Sequence, residues 1–278
     1  MSLIDAPNRG IYDDVPMNEY NQMDCARSGH LAAMAKGDQP TPAHVRLGQM
    51  KAGINGATAS TGIGAGVHLA LFEPKLYQSS VEIWTDTKTR GAAFKKRQAE
   101  LGEGGLLLTS DEAAKVAPMI AQIHGKPKIR KMLEACQSRE MTIVFDISPW
   151  GQPEIKLRCR ARMDGWAPSL NAVIDLKTTE SASREKFKRS VWQYGYAYQA
   201  AVYRAAALDH GLEWSHHIWI AAENVEPYGV AAYRCPDKWI DEADEKMSEP
   251  IRMLAAAYAS GDWSDYPDAL TDLEEEAP

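Results

Sequence analysis

Asp175 and Lys177 stand two residues apart in Val173-Ile174-Asp175-Leu176-Lys177-Thr178, and Asp164 precedes them in Arg162-Met163-Asp164-Gly165. Side chains alternate along an extended strand, so this spacing puts Asp175 and Lys177 on one face and Ile174 and Leu176 on the other. An antiparallel return between the two segments brings Asp164 beside Asp175. Two carboxylates and a lysine held together are the groups that metal-assisted phosphodiester hydrolysis requires. Carboxylate oxygens hold a hard divalent cation. The cation polarises the phosphoryl group and acidifies a bound water, while the lysine positions the nucleophile or stabilises developing charge. Spacing alone leaves an ordinary Asp–Lys pair on a solvated sheet face as an equal alternative.

A row of cations leads to this point. Lys156, Arg158, Arg160 and Arg162 occupy alternate positions ahead of Asp164, with Leu157, Cys159, Ala161 and Met163 between them. The apolar set is expected in the core and the basic set along a phosphate track. The alternative is a charged outer face balanced by neighbouring acids. As a track, Arg158, Arg160 and Arg162 should each add about one unit to the log–log salt slope of DNA binding. Lys186 and Lys188, with Arg184 and Arg189, form a second cluster; Lys126, Lys128, Arg130 and Lys131 form a third. Trp84, Trp166 and Trp192 suit base stacking, although core packing is the commoner use of tryptophan.

The elements that must position these groups are legible from periodicity. Glu140 to Ile147, Glu154 to Trp166 and Ala172 to Thr178 read as strands, as do His216 to Ala222 and Tyr228 to Tyr233. Helices are predicted at Ser28 to Met34 and Ser110 to Gly125, with Ser28 and Ser110 as caps, at Gly62 to Leu71, and at Ala92 to Leu101. Val81 to Trp84 reads as a strand and Lys128 to Ala135 as a further helix. A helix from Arg184 to Leu208 should break at Gly195, and one closing helix should run from Pro236 to Ser260. Gly10 to Pro16 is extended, and residues 43–60 give no clear pattern. Helices, then a central sheet of about five strands, then helices make an α/β or α+β arrangement with a mixed sheet. One domain over 1–278 is expected: a helical part to about 135, the catalytic sheet and helices over about 136–260, and an acidic tail from about 265.

Composition sets the outer bounds. The 278 residues are 45% hydrophobic and 25% charged, ordinary for a soluble globular protein. No apolar run is long enough to span a membrane, and the opening residues lack the pattern of a signal peptide, so the cytoplasm is the expected location. Cys25, Cys136, Cys159 and Cys235 are scattered without a CxxC pair, which argues against zinc or an iron–sulfur cluster. The net charge of −7 argues mildly against nucleic acid, but Asp272-Leu273-Glu274-Glu275-Glu276 carries four of the acids at a solvated end.

Further motifs carry a resemblance. Gly64-Ala65-Gly66-Val67-His68, then Asp164, then Asp175-Leu176-Lys177, then Gln199-Ala200-Ala201-Val202-Tyr203 follow the order GxxxH, acid, DxK, QxxxY of RecB-type nucleases in the PD-(D/E)xK superfamily. More narrowly, the Gly10-Ile11-Tyr12 opening, the Tyr20 and Ser28 spacing, His68-Leu69-Ala70-Leu71-Phe72-Glu73-Pro74 and Tyr194 to Gln199 resemble the C-terminal nuclease of RecE (exonuclease VIII) and its phage relatives. The likeness runs from about residue 10 to about 260. It implies a restriction-endonuclease-like core and a catalytic Lys177. It also implies metal binding by Asp164 and Asp175 with His68, and an additional acid at Glu140. Gln199 and Tyr203, one helical turn apart, would orient the site or contact DNA. Taken alone, His68 reads as a satisfied helix histidine, and Gln199 and Tyr203 as helix packing.

The implied activity is a Mg2+-dependent exonuclease on double-stranded DNA ends, with Mn2+ as a substitute. By resemblance it works 5′ to 3′ as a ring-shaped homo-oligomer and passes 3′ single strands to a RecT-like annealing protein. An endonuclease, another RecB-like nuclease or a non-catalytic DNA-binding module are the rival readings. The intact Asp164, Asp175 and Lys177 weigh against the last.

Overall fold

The computed structural model describes residues 3–5, 8–38, 41–55, 62–86, 90–102 and 104–266, with backbone alone for 51–55. The chain begins with β1 (Ile4–Asp5), β2 (Gly10–Tyr12), α1 (Met17–Gln22), β3 (Met23–Asp24), β4 (Ala26–Arg27), α2 (Ser28–Ala35) and α3 (Pro42–Asn55). A mainly helical stretch follows: α4 (Gly62–Phe72), α5 (Pro74–Ser80), β5 (Val81–Trp84), α6 (Ala92–Glu100), β6 (Leu106–Thr109), α7 (Ser110–His124) and α8 (Pro127–Glu134). Then come β7 (Ser138–Ile147), β8 (Leu157–Ala167), β9 (Ala172–Thr179), α9 (Arg184–Gln193) and α10 (Tyr196–Asp209). The described chain closes with β10 (His216–Glu223), β11 (Val230–Arg234), α11 (Asp237–Lys246) and α12 (Ser248–Ser260).

The architecture is α/β, with a central mixed sheet between helices. Its strand order is β11-β10-β9-β8-β7-β2, and β4 also pairs with β8. The pairs β7–β8, β8–β9, β10–β11 and β2–β7 are antiparallel; β9–β10 and β4–β8 are parallel. The parallel return from β9 to β10 needs a crossover, and α9 and α10 supply it. On one side Phe145, Cys159 and Met163 pack with α10 and α12 residues such as Val202 and Leu254. On the other, Ile174, Leu176 and Ile220 pack with Val67 of α4, Met119 of α7 and Leu133 of α8. Both faces are therefore buried, as apolar β-branched runs require.

Several local expectations need correction. Ser110 is the first residue of α7 rather than its cap: Thr109 Oγ1 accepts from Glu112 N–H at 3.3 Å, and Glu112 Oε2 accepts from Thr109 N–H at 2.9 Å. That reciprocal pair satisfies two orphan donors, which Ser110 one position later would not. Ser28 likewise starts α2, with Arg27 in the cap position. Pro74 ends α4 and also opens α5, because its fixed φ and missing N–H suit a first helical turn. The closing helix is two helices, since Pro250 has no amide to bond back and α12 starts afresh at Ser248. Residues 43–55 are helical, and among the described residues the sheet has seven strands rather than about five. The acidic tail at 272–276 lies outside the described residues.

The largest correction concerns the basic row. Leu157, Cys159, Ala161 and Met163 are buried as expected, but Arg160 is only 2% exposed. Its guanidinium donates to the carbonyls of Met23, Cys25 (2.7 Å) and Asn21 (3.3 Å), and so fastens the α1–β4 segment across β8. Alternation gave the face correctly but not the segment that covers it. Arg160 is a buried backbone clamp, out of reach of phosphate. Arg160→Ala strands those carbonyls without donors and should cost roughly 3 kcal/mol or more. Urea unfolding checks this; stability within about 0.5 kcal/mol of the unsubstituted protein would show that the clamp is dispensable.

Candidate active site

The site lies where β8 changes neighbours. Along one edge β8 pairs with β4 at Cys159 and Arg160, then with β9 from Gly165 to Ala167. Between the two pairings its strand edge is open, and Asp164 stands at the end of that gap. There the Asp164 carboxylate replaces a backbone partner: Oδ2 accepts from Leu176 N–H at 2.9 Å. The residue facing Asp164 on β7 is Glu140, flanked by the pairs Arg139–Gly165 and Met141–Met163. Glu140 has φ +52°, a left-handed backbone that costs an ordinary residue about 1–3 kcal/mol. Such strain is typical of side chains re-aimed for chemistry.

Helix α4 brings His68 to the pair. A Cβ at Gly66 would lie 3.0 Å from Leu108 Cδ1 and 3.3 Å from Val116 Cγ2, so a glycine there lets α4 press close. His68 Nε2 is 3.1 Å from Asp164 Oδ2 and 3.3 Å from Glu140 Oε1. One ligand atom from each of His68, Glu140 and Asp164 lies within 4.8 Å of the others. Glu140 Oε2 meanwhile accepts from Arg162 Nε at 2.5 Å. Arg162 also donates to Val15 O, so two of its donor groups are committed to site and backbone acceptors.

Asp175 and Lys177 form the adjoining half. Asp175 is fully buried; Oδ2 lies 2.6 Å from Lys177 Nζ and Oδ1 has no hydrogen-bond partner among the described residues. Lys177 Nζ donates to Gln199 Oε1 at 2.8 Å, Gln199 Nε2 donates to Tyr203 OH at 2.8 Å, and Tyr203 OH donates to the carbonyl of Arg162. Each link fixes the next, so the lysine is aimed by a chain that ends on β8 itself. The Tyr196 ring sits 4.8 Å from the same ammonium.

The electrostatics follow from burying so much charge together. Burial, reinforced by Asp164, pushes Asp175 up to about 7 although Lys177 opposes it. Burial alone would lower His68, but the Asp164 charge and hydrogen bond, helped by Glu140, carry it up to about 9. Burial also raises Glu140, while His68 outweighs burial at Asp164 and lowers it. Burial works against the Lys177 charge, yet Asp175 and Asp164 hold its pKa above the ordinary lysine value. Burial lifts Tyr203 well above the usual phenol range, so it stays a donor.

A divalent cation fits this donor set. Imidazole plus two carboxylates, with Glu140 Oε1 buried and without a hydrogen bond, is negative charge that a cation would satisfy. His68, Asp164 and Glu140 would hold it. Asp175, which the resemblance made a ligand, lies outside this cluster and faces Lys177.

Residues 41–271 match the family model described as PDDEXK-like domain of unknown function (DUF3799). The chain belongs to that family. No curated protein sequence matches this PDDEXK-like chain significantly. Among solved structures, it is similar to that of a "putative exonuclease" from Eubacterium rectale, with a TM-score of 0.59, 16% identity, and 93% of each chain covered. At that identity the likeness establishes a shared fold.

The other sequence candidates scatter. Arg158 pairs with Asp146 at 2.6 Å, and Lys186 and Lys188 lie exposed on α9. Trp166 is buried, Trp192 packs near Tyr198 and Trp239, and Trp84 meets Phe94. None of the three tryptophans lines the cleft of about 390 Å³ that opens over His68, Glu140 and Asp164. Tyr20, Arg27, Tyr194 and Tyr196 do line it. Arg27 carried no pattern in sequence, because its place depends on β4 pairing with a strand more than a hundred residues away.

If the three-residue cluster is the cation site, His68→Ala and Glu140→Gln should each weaken Mn2+ binding about tenfold or more. Titration followed by the Mn2+ spin-resonance signal measures this. Unchanged affinity in both variants would remove the cluster from consideration.

Proposed function

We propose that this chain is a Mg2+-dependent exonuclease that degrades linear double-stranded DNA, with Mn2+ able to substitute. The observation that carries the reading is the His68–Glu140–Asp164 cluster on an open cleft that Gln199 and Tyr203 also line, with Gln199 hydrogen-bonded to the Asp175–Lys177 pair. The bound cation would supply Lewis acidity toward the scissile phosphate and lower the pKa of an attacking water. Lys177, kept protonated by Asp175, offers N–H donors to charge developing on the phosphate. Gln199 and Tyr203 fix where that ammonium points. Arg162 holds Glu140 in place from the opposite oxygen.

The exonuclease reading, rather than nuclease alone, leans on the sequence resemblance and on the description of the Eubacterium rectale protein of the same fold. The resemblance also underlies 5′ to 3′ polarity, a ring-shaped homo-oligomer and transfer of 3′ single strands to a RecT-like annealing protein. For membranes, no helix among the described residues is long and apolar enough to cross one.

The decisive measurement is digestion of linear duplex labelled separately at each 5′ and 3′ end, beside closed circular DNA. Loss of the 5′ label first, with circles intact, is expected in Mg2+. Lys177→Ala should slow the reaction roughly 10²–10³-fold, and Asp175→Ala should abolish it. Ca2+ should support binding without turnover, because its looser coordination places the nucleophile poorly. Cleavage of circles, or robust cleavage in excess chelator, would contradict the proposal.

Exposed Lys186 and Lys188 remain available to DNA. Their joint replacement by alanine should lower the log–log salt slope of binding by about one unit per contact. An unchanged slope would take α9 out of the DNA path.

A further inference from the structure

Tyr194 is 61% exposed, the most open aromatic ring on the α9–α10 side of the catalytic cleft, which it lines together with Tyr196, His68, Glu140 and Asp164. Large aromatic side chains normally bury their rings, so an open one at a reaction site calls for a ligand with a flat face. Its setting is stiff. Tyr194 ends α9 and Tyr196 begins α10, and Gly195 between them has φ +76°. A Cβ at Gly195 would meet Ala32 Cβ at 3.1 Å, so the turn sits tight against α2. Lys36 on that side also donates to Gln193 O at 3.2 Å.

The rings form a graded series toward the chemistry. Tyr194 and Tyr196 have centroids 5.8 Å apart with planes tilted by 34°. Tyr196 in turn rests near Phe187 at 6.2 Å and carries the Lys177 ammonium 4.8 Å from its ring. The inner ring is thus occupied by the lysine and the core, while the outer ring is open. Among the described residues Met17, 41% exposed, lines the same cleft and offers a second apolar surface.

From this we infer that Tyr194 is a stacking platform for an unpaired nucleobase next to the phosphodiester being cut. The inference rests on the nuclease reading and deepens it by naming the form of substrate. Inside a duplex both faces of each base are covered by neighbours and a blunt end offers only the outer face of its last pair; a base with both faces free exists only where the strand has opened. An aromatic ring one step from Lys177 therefore favours an end whose last nucleotides have separated, where a single base can turn onto it. Stacking accepts any base, which suits an enzyme that must move along arbitrary sequence. Tyr194 would hold the separated strand in line with the cation cluster, and Lys177 and Asp175 would act on the phosphate beside it.

The test is binding of fluorescent duplexes in Ca2+, blunt or with a short unpaired end, by the full chain and by Tyr194→Ala, Tyr194→Phe and Tyr194→Trp. The unsubstituted protein should favour the unpaired end by about tenfold, Tyr194→Ala should erase that preference, and Phe and Trp should keep it. Abasic sites in the unpaired end should mimic Tyr194→Ala, with no further loss when the two are combined. A preference untouched by Tyr194→Ala overturns the platform, as does an absent preference in the unsubstituted protein. Equal loss in Tyr194→Phe also overturns it, since that would assign the effect to the hydroxyl. Parallel cleavage in Mg2+ separates the two readings. Cleavage without the binding preference removes the platform and leaves the nuclease; the preference without cleavage does the reverse.

Discussion

The arrangement depends on β8 having one edge shared by two neighbours. A strand normally keeps one partner along an edge, and its backbone groups are then saturated. Here β4 takes the first part and β9 the last, so an unpaired interval opens just before Asp164. That interval is where a carboxylate can enter the ladder and receive the Leu176 amide. The same break lets Asp164 meet His68 and Glu140 instead of being flattened into the sheet. Close the gap with a regular ladder, and the polar groups have nowhere to converge.

What keeps that opening from collapsing is reciprocal restraint. Buried charge costs several kcal/mol per ion unless it is paired and hydrogen-bonded. Each charged group in the site is held by another: Glu140 by Arg162, Asp175 by Lys177, Asp164 by His68 and the Leu176 amide. The neutral members close the loop, since Gln199 and Tyr203 return the chain from Lys177 to the Arg162 carbonyl. Little side-chain freedom is left to lose when a substrate arrives, which is the condition for preorganised catalysis.

Much of this was legible in the sequence, for physical reasons that also explain what was not. The period of two exposed β7, β8 and β9, and with them the shared face of Asp175 and Lys177. The break at Gly195 was visible because glycine interrupts an otherwise helical pattern. The order of His68, Asp164, Asp175 and Gln199 suggested a common site; in the structure His68 meets Asp164, and Lys177 links Asp175 to Gln199. The strand β4 was invisible, since two residues show no periodicity and its extended form is imposed by a distant partner, whereas β2 falls within the stretch that reads as extended. For the same reason the fate of Arg160 and Arg162 was hidden: alternation tells which side a residue takes, not what lies above it. Glu140 was noticed as an acid, but its left-handed backbone arises from tertiary context and leaves no local mark.

The clamp made by Arg160 and Arg162 has a temporal side. Their acceptors, Val15 O, Asn21 O, Met23 O and Cys25 O, lie between 135 and 147 residues earlier in the chain. During synthesis the first wall of the cleft leaves the ribosome long before the strand that anchors it. At about 5–20 residues per second, the wait is on the order of 7–30 s. Contacts of such span are also late to form in any refolding chain, because loop closure must precede them. His68, Glu140, Asp164 and the segment beside them can therefore unite only when most of the polypeptide exists, and a nascent fragment has no assembled centre.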